Sequence, residues 1–258
     1  MTDPAAGVGL APWPEGTGRH VLAEVDSTNA EALRLAARLT GPAWVLARRQ
    51  TAGRGRRGRA WADPEGNFAA SLLLRPGGGP AEAARYSFVA ALALHDALSQ
   101  AAGPMARLSV KWPNDVLLNG GKLAGILLES AGAGPVTLVI GIGVNLLEAP
   151  PATTLEDGAL PPVSLAGETG QRLSPEEFLD LLAPAFARRA ADLQAHGFAP
   201  IRAAWLARAA RLGEAITART GAVTRTGRFD GIDDSGALIL TTAAGREAIP
   251  AADIYFGG

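Results

Sequence analysis

The chain lacks the residue types on which several kinds of functional site depend. Its 258 residues include no cysteine, which excludes disulfide bonds, thiolate zinc sites and a cysteine nucleophile, and fits a reducing cytoplasm. The three histidines, His20, His95 and His196, lie far apart in sequence, so a metal cluster is not expected. No run of about 18 apolar residues is free of charge, and the N-terminus has no basic start followed by an apolar run. We therefore expect neither a membrane span nor a signal peptide.

Basic charge is concentrated in one short loop, although the net charge of the whole chain is only -1. Residues 53–59 contain four arginines, three glycines and no acidic residue. Glycine permits a close backbone approach, and clustered guanidinium groups repel one another unless an anion lies among them. Guanidinium groups also pair with phosphate oxygens two at a time. The pattern indicates a loop that closes over a phosphorylated ligand, and a solvated basic loop is the alternative.

The same loop has the spacing of a dinucleotide-binding fingerprint at Gly53, Gly55 and Gly58. That fingerprint requires a helix directly after the glycines and an acidic residue about 20 positions later. Here residues 61–66 contain a proline and a glycine that disfavour a helix start, and no acid occurs near residues 73–75. No Gly-Lys-Ser/Thr follows either. We therefore reject both the dinucleotide fingerprint and the Walker A loop.

Hydrophobic periodicity and turn residues predict a larger domain of strands and helices. Capping-box spacing at Thr28 and Glu31 predicts the start of a helix, and Ser174 with Glu177 predicts another. Asn-Gly between apolar runs at Asn119 predicts a hairpin. Strands are expected over residues 20–25, 44–47, 67–74, 108–112, 116–118, 123–129 and 136–145, and further helices over 80–101, 174–196 and 200–212.

The chain changes character at residue 213. Four short strands with Gly and Asp turns are expected over residues 216–220, 223–229, 237–242 and 247–249, which indicates a small all-β barrel of about 45 residues with its own core. The expected division is a loose lead-in over residues 1–18, a larger domain over 19–212 and a small domain over 213–258.

Two further clusters carry polar residues at ordered positions. Residues 111–115 read Lys-Trp-Pro-Asn-Asp after an apolar strand, so Lys111 is held in place, whereas Asn114 and Asp115 fit a site or backbone capping equally well. Residues 27–29, Ser-Thr-Asn, lie at a predicted helix N-terminus. Exposed N–H groups and hydroxyls there suit a carboxylate or a polar ring, and a plain N-cap is the alternative.

Five motifs occur in one order along the chain. They are Asp-Ser-Thr-Asn at 26–29, Gln-Thr-Ala at 50–52 with the arginine loop, Lys-Trp-Pro-Asn-Asp at 111–115, Lys-Leu-Ala-Gly-Ile-Leu-Leu-Glu at 122–129, and Gly-Ile-Gly-Val-Asn at 141–145. Together they strongly resemble the bacterial biotin protein ligase family. The resemblance implies an α+β fold, with a mixed β-sheet catalytic domain of the class II synthetase-like kind, flanking helices and an SH3-like C-terminal barrel.

The resemblance also implies roles for individual residues. Ser27, Thr28, Asn29 and Gln50 would hold the biotin ring. Arg54, Gly55 and Arg56 would close over biotin and the adenylate, and Lys111 would contact the reacting carboxylate and α-phosphate. The nucleotide would lie near Arg54, Lys122 and Asn145. Asp115 is a hypothesis for orienting or deprotonating the acceptor lysine, because it lies beside Lys111.

The implied reaction uses ATP and Mg²⁺ to form biotinyl-5′-AMP, and then biotinylates a lysine of a biotin carboxyl carrier protein in the cytoplasm. The chain itself lacks the Met-Lys-Met sequence of biotinylated domains, since its methionines are Met1 and Met105. About 25 residues precede Ser27, too few for the DNA-binding domain of about 60 residues that repressor members of the family carry. DNA binding is therefore not expected, and a homodimer is left open.

Two alternatives follow from the same residues. A lipoate ligase would use a related acyl-adenylate reaction, although the Lys-Trp-Pro-Asn-Asp sequence and the arginine-rich loop favour biotin. A nucleic-acid-binding module would use the arginine loop as its contact surface. That module predicts a broad basic surface with interleaved aromatic residues, whereas only Trp61 lies near the loop.

Overall fold

The computed structural model describes residues 11–62, 64–131, 136–151, 158–221 and 223–256. Within these ranges the chain forms twelve strands and five α-helices. The strands are β1 (Gly18–Leu22), β2 (Ala43–Ala47), β3 (Phe68–Leu74), β4 (Leu108–Lys111), β5 (Asp115–Leu118), β6 (Gly121–Ala131), β7 (Thr137–Val144), β8 (Ala215–Thr220), β9 (Val223–Ile232), β10 (Leu238–Thr242), β11 (Gly245–Ile249) and β12 (Asp253–Phe256). The helices are α1 (Thr28–Leu35), α2 (Pro80–Ala102), α3 (Leu165–Thr169), α4 (Pro175–His196) and α5 (Phe198–Leu206).

The first seven strands form one mixed sheet in the order β1-β2-β3-β7-β6-β5-β4. Strands β1 and β2 are parallel, and the other neighbouring pairs are antiparallel. Because side chains alternate between the faces of a sheet, the strongly apolar strands β2 and β3 bury both of their faces. The mixed sheet with flanking helices confirms the α+β architecture.

Helices cover both faces of the larger sheet. On one face α2 packs with α4 and α5. Most residues of α2 are apolar and buried, and the helix ends at Gly103, which has φ 80°. The capping box predicted at Ser174 and Glu177 is present at the start of α4. On the opposite face α1 packs over β2, β3 and β7. None of the described helices is long and apolar enough to span a membrane.

The last five strands form an antiparallel sheet in the order β11-β10-β9-β8-β12, which fits a small SH3-like barrel. The composition break predicts a separate core for this small sheet, and that prediction is wrong. One buried cluster includes Phe88 and Trp205 of the helices together with Phe229 of β9. The indole N–H of Trp112 also donates to the Gly236 carbonyl at 3.0 Å. The two sheets therefore share one apolar core.

Several local predictions were wrong. The first helix has Ser27 as its N-cap without a side-chain capping bond, and Glu31 pairs with Arg34 at 2.6 Å instead of closing a box with Thr28. Helix α5 ends at Leu206, short of residue 212, and α3 and β12 were not predicted. Most of the lead-in predicted over residues 1–18 lies outside the described residues.

Candidate functional site

A row of paired residues crosses the larger sheet on the face that carries α1. The strand register places Ala69, Gly143, Gly125, Asp115 and Lys111 side by side, on β3, β7, β6, β5 and β4 respectively. The first three have little or no side chain, so the backbone of the sheet leaves room there for a flat group, and the Trp61 ring fills that room in this structure. The last two carry opposite charges. We call this row, with the space above it, the sheet groove.

The arginine loop folds back over the sheet groove as a tight hairpin. The Trp61 backbone N–H donates to the Gly53 carbonyl at 2.9 Å, which closes the base of the hairpin. The Trp61 ring then lies on the glycines: a Cβ at Gly143 would overlap it, and a Cβ at Gly125 would be 3.1 Å from it. Sequence reasoning gave Trp61 no role, because nothing local shows which glycines face the loop.

A buried polar network lies beside the groove at the N-terminus of α1. Ser71 Oγ lies 2.7 Å from Thr28 Oγ1 and 2.5 Å from Asn29 Oδ1. Gln50 Oε1 accepts from the Thr28 backbone N–H at 2.9 Å and from its hydroxyl at 3.2 Å. Asn29 Nδ2 donates to Glu129 at 2.7 Å. Three of the predicted ring-binding residues therefore share one network, and the contacts on both ends of the Asn29 amide fix its orientation.

The fourth predicted ring-binding residue, Ser27, is also buried at this helix start. Gly141 supplies the space that the network needs, since a Cβ there would overlap the Asn29 amide. Ser71 and Glu129 were missed as site residues. Ser71 is the one polar residue in the apolar strand β3, and this isolated polar position was the available signal.

Three charged side chains meet at the other end of the groove. Asp115 is buried, and its carboxylate lies 2.8 Å from Lys122 Nζ and 3.6 Å from Lys111 Nζ. Burial acts to raise the pKa of Asp115, but the two lysines outweigh it and hold the pKa below its usual value. Burial lowers the pKa of Lys111, against the attraction of Asp115. Lys111 and Lys122 are the only lysines in the chain, a sequence signal that was available and unused.

The two predicted loop arginines reach different ends of the groove. Arg54 Nη2 lies 3.4 Å from Glu129 and so meets the polar network. Arg56 Nη1 lies 3.4 Å from Asn114 Oδ1 and 3.5 Å from the Ala252 carbonyl, next to the charged end. Burial lowers the pKa of Arg56, and the nearby carboxylates oppose this effect.

Asn145 lies at the end of β7, where its side chain has a structural contact. Its Nδ2 donates to the Val163 carbonyl at 3.0 Å, and its backbone N–H donates to Leu123 at 3.0 Å. Among the described residues, its buried Oδ1 has no hydrogen-bond partner. The structure thus ties Asn145 to the segment beside Lys122 and leaves one acceptor unused.

Comparisons with known proteins agree with the family resemblance of the motifs. Residues 21–145 match the biotin/lipoate A/B protein ligase family, and residues 212–257 match the biotin protein ligase C-terminal domain. The biotin–[acetyl-CoA-carboxylase] ligase of Paracoccus denitrificans is 68% identical over 92% of this chain and 100% of its own length. The bifunctional ligase/repressor BirA of Bacillus subtilis is 38% identical over 83% of this chain and 66% of its own length. The structure of the Aquifex aeolicus biotin protein ligase with biotin and ATP has a TM-score of 0.78, at 27% identity, over 92% of this chain and 97% of that one.

Proposed function

The chain belongs to the biotin protein ligase family, and we propose that it uses ATP to convert biotin to biotinyl-5′-AMP and then biotinylates a carrier lysine of acetyl-CoA carboxylase. The sheet groove is the observation that carries the proposal. Once the Trp61 ring moves off the glycines, a backbone surface with a polar network at one end and a buried lysine at the other suits a ligand with a polar ring and a carboxylate. The arginine loop lies above both ends.

The polar network fits the biotin ring. A cyclic urea has two N–H donors and one carbonyl acceptor, and the network offers the hydroxyl of Thr28 and the side-chain amides of Asn29 and Gln50, with the buried Ser27 beside them. Thr28 and Asn29 are buried and joined through Ser71, and Thr28 is also bonded to Gln50, so these three side chains are held in place before a ligand arrives. Backbone N–H groups at the start of α1 add further donors.

Charge neutralisation drives the first half-reaction. The biotin carboxylate is already ionised near neutral pH, so its attack on the α-phosphate needs alignment and positive charge rather than a general base. Lys111, Arg54 and Arg56 would supply that charge, and Gly55 would let the backbone approach closely. Arg54, Lys122 and Asn145 would contact the nucleotide.

Magnesium would enter with ATP as part of the substrate. Mg²⁺ at nucleotide sites is bound mainly by phosphate oxygens and water, with one or two protein carboxylates. The residues described contain no group of three or more His, Asp or Glu side chains placed to hold a metal ion. Asp115 is a carboxylate within the groove, and it is already engaged by two lysines.

The second half-reaction requires an acceptor amine at the charged end. The incoming lysine attacks as the neutral amine, forming the amide bond to the biotinyl carbon while AMP leaves. Asp115 would orient its ammonium group, as it does for Lys122, before the proton is released to solvent. Its lowered pKa makes it a weak base. This favours orientation over deprotonation as its role. The hairpin that carries Trp61 would exclude water from the mixed anhydride while the acceptor arrives.

The remaining assignments are proposals about partners. The acceptor would be the carrier domain of acetyl-CoA carboxylase, and the reaction would take place in the cytoplasm. DNA binding is not expected, because loop arginines are paired with carboxylates rather than forming an open basic surface. A gel-shift experiment tests this expectation, and sedimentation with and without biotinyl-5′-AMP tests for a homodimer.

Pyrophosphate exchange tests the proposed activity. The purified protein should exchange labelled pyrophosphate into ATP with biotin and not with lipoate. Lys111→Ala should slow this exchange by about 10²–10³, as expected for a lost transition-state charge contact, while Arg107→Ala, a basic residue outside the groove, should not. Exchange that requires lipoate, or that proceeds normally in a folded Lys111→Ala protein, would reject the assignment.

A further inference from the structure

A turn of the small sheet holds the residue that follows Lys111. The indole N–H of Trp112 donates to the carbonyl of Gly236 at 3.0 Å, and this hydrogen bond is buried although 124 positions separate the two residues. Lys111 ends β4 and directs its amine to Asp115 in the sheet groove, 3.6 Å away. The Trp112 indole lies instead in the buried core cluster with Phe88 of α2. One hydrogen bond from the C-terminal sheet thus fixes the chain directly beside the buried lysine.

The turn that presents this carbonyl, residues 233–237 between β9 and β10, is organised by one side chain. The Asp233 carboxylate accepts from the backbone N–H groups of Ser235 and Ala237, both at 2.9 Å, and from the Ser235 hydroxyl at 2.6 Å. The Gly236 N–H donates to the Asp233 carbonyl at 3.0 Å. Gly236 has φ 86°, and a Cβ there would lie 2.6 Å from an aromatic ring of α2, so the position requires glycine. The turn therefore holds the Gly236 carbonyl in one place against α2.

Two further hydrogen bonds hold residues 112–114, the segment that joins β4 to β5. The Ser87 hydroxyl of α2 donates to the Pro113 carbonyl at 3.4 Å, and Asn114 Nδ2 donates to the Ile126 carbonyl of β6 at 2.6 Å. These two contacts belong to the larger domain and hold the middle and the far end of the segment. The end next to the buried lysine is the one that the small sheet holds.

Packing alone does not fix the Trp112 indole. Trp112 and Gly236 border a cavity of about 340 Å³ that is also lined by Ala83 of α2 and Leu128 of β6. A side chain keeps one orientation where neighbouring atoms fill the space around it, and on the cavity side of the indole they do not. The hydrogen bond to Gly236 therefore sets the orientation of the ring.

We propose that the turn over residues 233–237 is a positioning element for Lys111, which acts through the Gly236 carbonyl and the Trp112 indole. A lysine amine sits at the end of a flexible four-carbon stem, so its position depends on how firmly its backbone is held. A step that needs the charge at one point, as the attack on the α-phosphate does, is sensitive to that position. The kinetic consequence rests on the proposed function, whereas the confinement of the amine does not.

Reductive methylation, read by peptide mass spectrometry, tests the confinement. Lys111 and Lys122 are the only lysines in the chain, and their side chains are 11% and 36% exposed, so Lys122 serves as an internal reference. Asp233→Ala removes the carboxylate that organises the turn. It should raise the methylation rate of Lys111 relative to Lys122 by about tenfold, a factor that corresponds to about 1.4 kcal/mol. Asp233→Asn keeps an oxygen that can accept the same hydrogen bonds, and it should restore most of the protection. An equal ratio in Asp233→Ala and wild type would overturn the proposal.

Two further variants guard against a general folding defect. Asp234→Ala is the matched control, because Asp234 belongs to the same turn but its side chain is 94% exposed, where it pairs with Arg202. Its ratio should stay near that of wild type, and a rise as large as in Asp233→Ala would contradict the proposal. Trp112→Phe removes the N–H donor, keeps an aromatic ring and leaves the small sheet intact. It should also raise the methylation of Lys111 alone, and an equal rise at Lys122 would mean that the contact stabilises the fold without positioning Lys111.

Pyrophosphate exchange with biotin tests the consequence for catalysis. In Trp112→Phe the kcat should fall about tenfold while the KM for biotin stays within about twofold of wild type, because the polar network lies at the other end of the groove. A higher KM at unchanged kcat would overturn the proposal, since the contact would then act on ground-state binding. If the wild type shows no exchange with biotin, the proposed function fails, and the methylation result still decides whether the turn confines Lys111.

Discussion

Lys122 Nζ lies 2.8 Å from Oδ1 of the buried Asp115, and Lys111 approaches the same carboxylate at 3.6 Å. One buried negative charge thus holds two positive ones at the end of the sheet groove. The pKa of Asp115 lies below its ordinary value of 3.8 because the lysines overcome the effect of burial. A carboxyl group with a lowered pKa in the folded state stabilises the protein above its unfolded pKa, and this stabilisation is lost as pH falls through the folded pKa.

Asp115→Asn should therefore destabilise the protein at neutral pH by about 3 kcal/mol, since it leaves a buried lysine without its counterion. The difference in unfolding free energy from wild type should shrink as the pH falls from 3.8, where the carboxyl of the unfolded chain becomes protonated, towards the lower pKa of the folded protein, where the wild-type carboxylate is protonated too. Urea titrations at several pH values measure the difference. A deficit that stays constant down to acid pH would mean that the charge of Asp115 does not contribute.

Ser71→Ala should weaken biotin binding more than it slows catalysis. The hydroxyl joins Thr28 to Asn29 in the buried network, and its loss leaves buried partners unsatisfied, at a cost of about 1–3 kcal/mol. We expect the KM for biotin to rise about tenfold or more, with a smaller change in kcat. Ser99→Ala, an exposed serine of α2, is the control. A lower kcat at unchanged KM would contradict the role of the network in ground-state binding.

Short sequence patterns correctly predicted the turns and helix caps that depend only on neighbouring residues. The hairpin at Asn119 and Gly120 forms with φ 51° and 88°, as Asn-Gly between apolar runs requires, and Ser174 caps α4 as its spacing indicates. The first helix lacked its predicted box because the Glu31 carboxylate bonds Arg34 instead. Where two possible partners lie near one side chain, as for Glu31, sequence spacing alone does not show which hydrogen bond forms.

The residues near the site that the sequence did not reveal owe their contacts to pairing between strands far apart in the chain. Strand β12 exists because it pairs with β8, so Asp253 has no partner until the small sheet has formed and packed beside the loop. Trp61 has a role only once the register brings Gly125 beside Gly143. Motifs could be recognised from residue order, whereas these contacts arise from tertiary packing.

Gly143→Ala should displace Trp61 and open the hairpin. A Cβ there would overlap the indole, whereas Gly125→Ala should have a milder effect because its Cβ would lie 3.1 Å from the ring. Gly77→Ala is the control, since nothing lies within 4 Å of a Cβ at that position. We expect a red shift in tryptophan emission for Gly143→Ala that disappears in a Trp61→Phe background. If the shift persists without Trp61, another indole reports the change.

Deleting residues 213–258 should destabilise what remains, rather than leave a folded larger domain. The domain boundary at residue 212 stays a prediction, but Phe88, Trp112 and Trp205 contact or share a core with the small sheet. Deletion of the small sheet would expose these three aromatic side chains to solvent, which should lower the melting temperature of the remaining domain markedly and cause aggregation. Calorimetry of residues 1–212 measures this effect. An unchanged melting temperature would mean that the shared core contributes little to stability.

Mass spectrometry of a carrier domain tests the central claim most directly. A carboxyl carrier domain of acetyl-CoA carboxylase is incubated with the protein, biotin and ATP, beside a carrier whose acceptor lysine is replaced by arginine. The account predicts that the carrier gains the mass of one biotinyl group on that lysine, and that the arginine variant gains none. No adduct with biotin, or an adduct that forms only with lipoate, would contradict it.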